Sequence, residues 1–563
     1  MSVIRPAKTW PIPARLRLLP RGDRGYLAAA FALSAVIAMP FAALVYLALS
    51  GTSTNWSHLA RTILPQASLV TLGLMLGVAL VTGSIGVITA WLVARFSFPG
   101  RRMFSWALVL PLAVPTYIAA YCFVEFLHFA GPVQTAIRGV FGFTTSREYW
   151  FPDIRSLPGA VLILSSVLYP YVYLTVRMVF LMQGQKAADV ARTLGASQAT
   201  IFLRILLPLA RPAIAVGVML ALMEAVNDIG AVEFLGVRTL TFAVYSTWLN
   251  RGDLYGATQI ALLMLVMIVL LVSVERFARR KQRFTLGRAD RPRPGADRLT
   301  GGKAVLAVAA CALPILLGFA IPFAVLTDYA FERLDQLADP QLWRALQHTV
   351  VLAGITALVT IIAGFLLAYG VRLTGSRRLV LMTRLAVLGY AVPGTVLAIG
   401  ILIPLAGFDN WVDAHLSAGF DLSTGLLLSG SGFAIVYAGF VRFMAMGHGA
   451  LESGFAKLSP HLDMAARTLG RAPGSTLVEV LLPLMRPALM TAFLLVFVES
   501  SKELSATILL RPFDFETLAT FVYAQTSRAA FEDGAVAALM IVLVGMLPVA
   551  ILNRSILAET ARS

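Results

Sequence analysis

Residues 189–195 read DVARTLG, and the chain then reaches ILLPLARP at residues 205–212. The same pattern returns in the second half, with MAARTLG at 464–470 and VLLPLMRP at 480–487. Aligned without gaps, the segments 189–214 and 464–489 are identical at nearly half of their positions. A polar segment that recurs once in each half of a long chain indicates an internal duplication, and it predicts a docking element present in two copies.

The composition places this duplication in a membrane protein. Of the 563 residues, 58% are hydrophobic and only 13% are charged, and the mean hydropathy is +0.80. Apolar stretches of about 20 residues recur along the chain, and each is long enough to cross a bilayer as a helix. We predict twelve spans, near residues 25–50, 68–94, 104–128, 158–180, 212–232, 256–275, 304–327, 347–371, 379–405, 424–447, 487–507 and 535–553. An even number of spans places both termini on the same side of the membrane.

The distribution of charge orients these spans. The net charge is +17, and most of the 46 Lys and Arg residues lie in one set of loops, including the segment before the first span. The opposite loops are more acidic and include Asp328, Glu332 and Asp335. Because basic loops stay in the cytoplasm, we expect both termini and both repeated segments to be cytoplasmic. The high net charge then requires no nucleic-acid partner.

A polar segment separates the two halves of the chain. Residues 276–303 contain ten basic and two acidic residues, several prolines and glycines, and no apolar periodicity. Matches at an offset of 278, such as Val244-Tyr245 with Val522-Tyr523, extend the duplication beyond the repeated segment. Six spans in each half would make the halves run in the same direction about an axis along the membrane normal. The predicted organisation is a first repeat over 1–282, a basic cytoplasmic linker over 283–303 and a second repeat over 304–563.

The residues of the repeated segment predict a stiff protrusion from the membrane. Asp189 places a negative charge near the start of a short helix, and Gly195 and Gly470 permit a sharp change of direction or a very close approach of a partner backbone. Four prolines are expected to forbid a continuous helix into the following span, namely Pro208 and Pro212 in the first copy and Pro483 and Pro487 in the second.

This pattern of small residues, a glycine and a later Leu-Pro resembles the coupling loop of the permease subunits of binding-protein-dependent ABC importers. In that family the loop sits in a cleft of a cytoplasmic ATPase. The resemblance implies an all-α membrane protein with the MetI-like fold, in which about 12 transmembrane helices form two parallel six-helix repeats. It defines a first coupling loop near residues 185–212 and a second near 459–487.

Carried over by position, the resemblance assigns ATPase coupling to two matched sets of residues. Asp189 and Met464 stand where the family usually has Glu, so the second copy lacks that carboxylate. The predicted coupling residues are Asp189, Ala191, Arg192, Gly195 and Pro208 in the first copy, and Ala465, Ala466, Arg467, Gly470 and Pro483 in the second.

The resemblance also implies partners and a location. It predicts a cytoplasmic ABC ATPase in two copies, a periplasmic substrate-binding protein and a place in the bacterial inner membrane. No Walker A pattern occurs in the sequence, so we expect no enzyme activity and no cofactor in this chain, with ATP and Mg used by the partner ATPase. The competing hypothesis is a secondary transporter driven by an ion gradient, with Glu224, Asp228 and Glu503 as proton carriers.

Ionisable residues within the predicted spans suggest a pathway or a gate. Glu224 and Asp228 share one helix face, and Glu499 and Glu503 occupy the equivalent positions in the second half, beside Lys502. One hypothesis is an acidic ring suited to a cation. The other is a packing network in which Lys502 neutralises Glu499 or Glu503. The six histidines show no metal-ligand spacing, and we assign no metal site.

The substrate follows from resemblance alone. Residues 224–234 and 502–512, with 518–520 and Tyr523 after them, are similar to ferric-iron importer permeases. Those proteins are two-in-one permeases that work with an iron-binding protein and an ATPase, and iron is a hard cation that prefers oxygen ligands. Fused permeases for thiamine share the architecture, so thiamine or another small solute remains the alternative cargo.

Overall fold

A computed structural model describes residues 22–51, 53, 55–181, 185–279, 297–387, 389, 392–420, 423–459 and 461–547. These residues are predominantly helical. A helix satisfies its own backbone N–H and C=O groups, which an apolar chain within a membrane requires. Two short strands, β1 (Phe96–Ser97) and β2 (Asp297–Arg298), pair in parallel. The prediction of an all-α membrane protein is confirmed at this level.

Among the described residues, eleven helices precede the segment 280–296. They are α1 (Gly22–Ser50), α2 (Trp56–Arg95), α3 (Arg101–Ala107), α4 (Thr116–Leu127), α5 (Pro132–Phe141), α6 (Leu157–Val179), α7 (Gln185–Thr193), α8 (Gln198–Asn227), α9 (Ile229–Phe234), α10 (Leu240–Tyr245) and α11 (Leu254–Arg279). A 3₁₀ turn at Leu110–Ala113 separates α3 from α4.

The remaining helices follow β2. They are α12 (Gly302–Glu332), α13 (Pro340–Thr374), α14 (Arg377–Ala386), α15 (Gly394–Phe420), α16 (Phe433–Ala456), α17 (His461–Thr468), α18 (Gly474–Ser501), α19 (Thr507–Leu510), α20 (Leu518–Ser527) and α21 (535–547). Shorter 3₁₀ turns lie at Leu334–Ala338 and Phe531–Gly534.

Within the described ranges, nine helices are long and apolar enough to cross a membrane, and a bent pair raises the number to ten. The nine are α1, α2, α6, α8, α12, α13, α15, α16 and α18, and the bent pair joins Arg101–Ala113 to Thr116–Phe141 at 93°. Helix α11 has a shorter apolar stretch, Leu254–Leu270. The many-span architecture is confirmed, whereas the count of twelve remains a prediction.

The predicted span over 379–405 is not one helix. α14 ends at Ala386 and α15 begins at Gly394, directly after Pro393. The bend between α3 and α4 lies at the equivalent place in the first half, where Val114 and Pro115 have extended ψ values of 118° and 141°. Proline forces the residue before it out of the helical region and has no N–H to donate, which accounts for this break at Pro115.

The expectation that Pro208, Pro212, Pro483 and Pro487 forbid a continuous helix is wrong. α8 runs through the first two prolines without interruption, and α18 runs through the other two. In α8 a π turn at Phe202–Leu206 ends two residues before Pro208, and in α18 a π turn at Leu477–Leu481 ends two residues before Pro483.

The π turns explain how the chain accommodates the first proline of each pair, Pro208 and Pro483. A proline cannot donate the usual bond to the carbonyl four residues back, and its ring collides with that carbonyl in a regular helix. In the wider turn the Leu207 N–H instead donates to the Phe202 carbonyl, five residues back, and Leu482 donates likewise to Leu477. The same spacing recurs before Pro65 in α2 and Pro322 in α12.

Internal contacts divide the helices into two compact units. The first takes its described residues from Met1–Met39, Thr356–Tyr390 and Phe440–Val496, and the second from Pro40–Ile355, Ala391–Gly439 and Phe497–Ser563. The predicted linker over 283–303 lies outside the described residues as far as residue 296. The division into repeats at 282 and 303 therefore stays a prediction.

The first unit has a core of aromatic and aliphatic side chains. Phe365 and Tyr369 of α13 pack against Phe455 of α16, and Met485 of α18 joins the same cluster. This packing supports the chain where it leaves α16 for the second coupling loop.

In the second unit α2 and α8 both pack closely on α6. An added Cβ at Gly86 of α2 would lie 2.6 Å from the Val172 Cβ, and one at Gly217 of α8 would lie 2.6 Å from the Val172 Cα. Only a residue without a side chain allows this approach, as is usual between helices in membranes. The first coupling loop is thereby attached to a tightly packed three-helix group.

Candidate functional site

The first coupling loop turns sharply after α7. The Gly195 N–H donates to the Arg192 carbonyl at 2.9 Å, and the Ala196 N–H donates to the Ala191 carbonyl at 3.0 Å. These two bonds form a Schellman motif, which ends a helix at a residue with positive φ. Gly195 has φ 81°, a conformation that glycine adopts without steric cost. The predicted change of direction at this glycine is present.

The second coupling loop repeats this turn. Gly470 has φ 77°, and the Arg471 N–H donates to the Ala466 carbonyl at 3.0 Å. A Cβ placed on Gly195 or on Gly470 would meet nothing within 4 Å. The backbone conformation, not crowding within this chain, therefore favours glycine at both positions, and the space beside each glycine is open to a partner.

Both loops bury small residues and expose large apolar ones. Ala191 is buried at 5% exposure and Ala466 at 7%, whereas Leu194 and the equivalent Leu469 are 82% and 81% exposed. Leu203 and its equivalent Val478 are also exposed, while Ala465 lies at the surface. Large apolar side chains are thus exposed at matched positions of the two loops, outside the predicted spans.

Ion pairs tie the first loop to neighbouring segments. Asp189 of α7 pairs with Arg95, the last residue of α2, at 3.2 Å. Arg192 pairs with Asp297 of β2, and the Gln198 amide donates to the same Asp297 carboxylate at 2.7 Å. The Arg192 guanidinium holds the pKa of the Asp297 carboxyl below its usual range, and the hydrogen bond to Asp297 raises the pKa of Arg192.

Neither Arg95 nor Asp297 belongs to a motif that predicts a site from the sequence. Asp297 is one of two acids in the basic segment 276–303. The feature of the sequence that could have indicated a role for Asp297 is its carboxylate within a run of basic residues. Its partner could not be identified without the pairing of β1 with β2, which brings Asp297 beside α7.

The second loop is held in a different way. Arg372, near the end of α13, donates to the main-chain carbonyls of Phe455 at 3.0 Å, Leu458 at 3.3 Å and Ser459 at 3.0 Å. These carbonyls lie at the end of α16, where a cation also interacts favourably with the helix dipole. Arg471 pairs with Glu479 at 3.2 Å. The side chain of Arg467 lies outside the described residues.

Two of the predicted pathway residues, Asp228 and Glu503, stabilise the chain where a long helix ends and a short helix begins. Asp228 accepts the Ala231 N–H at 2.8 Å and caps α9, and Glu503 accepts the Ala506 N–H at 2.9 Å before α19. The two carboxylates therefore do the same structural work in the two halves of the chain. Because each satisfies the first N–H groups of a short helix, the long helices α8 and α18 can end within the protein.

Lys502 and Glu499 form an ion pair at 2.9 Å, and the Lys502 ammonium also reaches the Leu112 carbonyl at 3.5 Å. Glu224, the equivalent of Glu499, is half-buried on α8. This arrangement corresponds to the packing network in which Lys502 neutralises Glu499. A purely acidic ring does not describe it, although the roles of these residues in transport remain predictions.

A second polar cluster lies beyond the end of α8. The Tyr245 and Tyr523 hydroxyl oxygens are 3.2 Å apart, and the Tyr523 hydroxyl donates to the Glu233 carboxylate at 2.6 Å. Tyr245 and Tyr523 match at an offset of 278 in the sequence, but the match alone predicts no site. Among the residues that the structure describes, no group of three His, Cys, Asp or Glu side chains could hold a metal ion.

Comparison with known proteins shows that the chain is similar to transport permeases. Residues 83–283 match the family described as the binding-protein-dependent transport system inner membrane component, and this range includes the first coupling loop. The chain is 25% identical over 488 residues to the Fe(3+)-transport system permease protein FbpB 2 of Haemophilus influenzae, covering 86% of this chain and 88% of that protein.

Further relatives include a second permease named for ferric transport and one named for molybdenum transport. The putative ferric transport system permease protein FbpB 1 of Haemophilus influenzae is 23% identical over 447 residues, covering 75% of this chain and 66% of that protein. The molybdenum transport system permease protein ModB of Escherichia coli strain K12 is 27% identical over 229 residues, which are 40% of this chain and 96% of that protein.

Proposed function

This chain belongs to the inner-membrane permease subunits of binding-protein-dependent ABC importers, and from that premise we propose that it carries ferric iron across the bacterial inner membrane. It is a transport subunit and not an enzyme, and its family works with an ATPase and a periplasmic binding protein. Iron would arrive from the binding protein, and two copies of the ATPase would use ATP and Mg to drive the passage.

The observation that carries the assignment of iron is the extent of one similarity. The ferric-iron permease of Haemophilus influenzae aligns over 86% of this chain, so both halves have counterparts in one protein. The molybdenum permease aligns over only 40% of this chain. A relative that shares the two-in-one organisation is the better guide to the cargo than one that matches a single half.

The proposed architecture is a pair of parallel six-span repeats with the MetI-like fold, over residues 1–282 and 304–563. Equivalent hydrogen bonds support it. The Leu240 N–H donates to the Thr71 hydroxyl at 2.9 Å, and the Leu518 N–H donates to the Thr349 hydroxyl at 2.8 Å. The donor and the acceptor of the second bond each lie 278 positions after those of the first. Two unrelated sequences would have no reason to share this bond at one constant offset.

The proposed orientation places both termini and both coupling loops in the cytoplasm. Leu194 and Leu469 would then enter clefts of the ATPases, and closure of the ATPases would pull on the two loops. The exposure of both side chains and the identical turn at Gly195 and Gly470 support this role. Chain breaks after α8 and α18 would lie along the route between the repeats.

Uptake of radiolabelled ferric iron in cells that lack this chain tests the proposal, with thiamine and molybdate measured in parallel. We expect iron uptake to be lost and to return when the chain is supplied again, while the other two solutes are unaffected. Loss of thiamine or molybdate uptake with normal iron uptake would reverse the assignment of the cargo.

The secondary-transport alternative has its own test. The purified chain would be placed in liposomes under a pH gradient, with and without its ATPase. We expect no uptake without the ATPase. Uptake driven by the gradient alone would contradict the importer mechanism.

A further inference from the structure

The contact between Tyr245 and Tyr523 joins equivalent residues of the two halves of the chain. The two tyrosines are equivalent at an offset of 278, and their hydroxyl oxygens are 3.2 Å apart. Their helices also begin alike, since Thr239 accepts the Phe242 N–H and Thr517 accepts the Thr520 N–H, both at 3.3 Å. When equivalent residues of two repeats touch each other, they lie on the axis that relates the repeats.

The position of this pair along the chain places it far from the first coupling loop. α8 begins in that loop and contains 30 residues from Gln198 to Asn227, a length of about 45 Å at 1.5 Å per residue. Glu233 and Tyr245 follow its far end. If the coupling loop is cytoplasmic, the tyrosine pair lies toward the outer face, on the axis along which a solute would pass.

The chemistry of the cluster suits a hard cation. Two phenol oxygens and one carboxylate converge, and Tyr245, Tyr523 and Glu233 are all partly exposed, so a solute can reach them. The nearby cation Arg511 is paired with Glu516, which neutralises its charge. Carboxylate and phenolate oxygens are hard ligands, and hard metal ions prefer them to nitrogen or sulfur.

We propose that Tyr245, Tyr523 and Glu233 form a transient binding site for ferric ion on the translocation pathway. The proposal rests on the proposed function and adds the residues that contact the cargo. Ferric ion would bind two phenolates and one carboxylate, and the two phenol protons would leave to water. Three negative oxygens then balance the charge of +3, which lowers the cost of placing the ion within a membrane protein.

The three side chains of the proposed site are hydrogen-bonded to one another. The atoms that would bind the ion are joined to one another, since Tyr523 bonds to Glu233 and contacts Tyr245. Entry of the ion must replace these hydrogen bonds with bonds from the same oxygens to the metal. An oxyanion such as molybdate could not form metal–oxygen bonds with these three groups in place of their hydrogen bonds. The Glu233 carboxylate would also repel it.

The test uses the purified full-length chain titrated with ferric nitrilotriacetate. We expect a visible phenolate-to-iron charge-transfer absorption and iron that stays with the protein through gel filtration. Tyr245→Phe or Tyr523→Phe should weaken binding by about tenfold, and the double variant should abolish the absorption. Glu233→Gln should reduce the amount of iron that stays with the protein. The weaker charge-transfer absorption that remains should disappear when the two tyrosines are also replaced by Phe.

Tyr255→Phe is the matched control, because Tyr255 lies outside this cluster and is 42% exposed. Gel-filtration profiles and thermal unfolding would show whether each variant is folded. An absorption of full strength in the double variant would overturn the site, as would its absence in a wild-type chain whose cells take up iron. Failure of iron uptake in the cell assay would instead overturn the proposed function.

Discussion

The first coupling loop is tied within the second unit by side-chain ion pairs, whereas the second loop is tied within the first unit by an arginine on main-chain carbonyls. Arg192 pairs with Asp297 in one case, and Arg372 binds the end of α16 in the other. The turns themselves agree closely, with φ 81° at Gly195 and 77° at Gly470. The exposed turns at Gly195 and Gly470 are thus alike in both copies. The contacts that attach each loop to the rest of its unit differ.

The largest expected effect comes from changing what the two loops share. Gly195→Val or Gly470→Val places a β-branched residue at a positive φ, which costs at least about 1–2 kcal/mol and redirects the turn. We expect transport to fall by more than about tenfold while the assembled ATPase still hydrolyses ATP. Parallel measurement of uptake and ATP hydrolysis in proteoliposomes checks this.

Gly139→Val serves as the control, because an added Cβ there meets nothing within 4 Å and Gly139 lies within the helix α5. Normal transport by both loop variants, with the ATPase bound, would show that the loops are not the coupling elements.

The next largest effect is expected from Arg372, whose replacement should affect the second coupling loop and not the first. Arg372→Leu removes charged donors from three carbonyls, and each such bond contributes about 1.5–3 kcal/mol. We expect faster hydrogen exchange in α17 and no change in α7. Arg372→Lys, which keeps the charge but not the planar set of donors, should give an intermediate result. Equal changes in both helices would show that the two attachments are not independent.

A smaller effect is expected from Asp297. Arg192 and Asp297 are 40% and 31% exposed, so solvent screens the pair and its contribution is about 1 kcal/mol or less. Asp297→Asn should speed hydrogen exchange in α7 but not in α17. The charge-reversed double variant Arg192→Asp with Asp297→Arg should recover part of the protection, and an unchanged exchange rate in Asp297→Asn would rule out this attachment.

The smallest effect is a dependence on pH. Arg192 lowers the pKa of Asp297 in the folded protein, so the stabilisation is present above the ordinary aspartate pKa and is lost as the pH falls through the lowered value. We expect the protection of α7, corrected for intrinsic exchange, to decrease only in that acidic range. Asp297→Asn should remove the dependence. A dependence that persists in this variant would assign it to another group.

The turns of the coupling loops could be predicted because their cause is local. Gly195 and Gly470 stand at a fixed spacing after Ala-Arg-Thr-Leu, and a glycine that ends a short helix has few conformations available. The attachments could not be predicted, since Asp297 lies 105 residues from Arg192 and meets it only through the pairing of β1 with β2.

The prolines of α8 and α18 show why local rules also fail. The rule that proline breaks a helix is correct for a regular turn and explains the bend at Pro115. It failed at Pro208 because five preceding residues changed the type of turn. For Tyr245 and Tyr523 the sequence supplied the match, but only the structure shows that the two side chains meet.

The π turns give the coupling loops a mechanical property. A wide turn contains one surplus residue, and in an ordinary helix such a defect could migrate from turn to turn. Pro208 and Pro483 lack the N–H that a regular turn would need at that place, so each defect is pinned two residues before its proline. A force applied to either loop would then bend its long helix first at this turn, close to the loop.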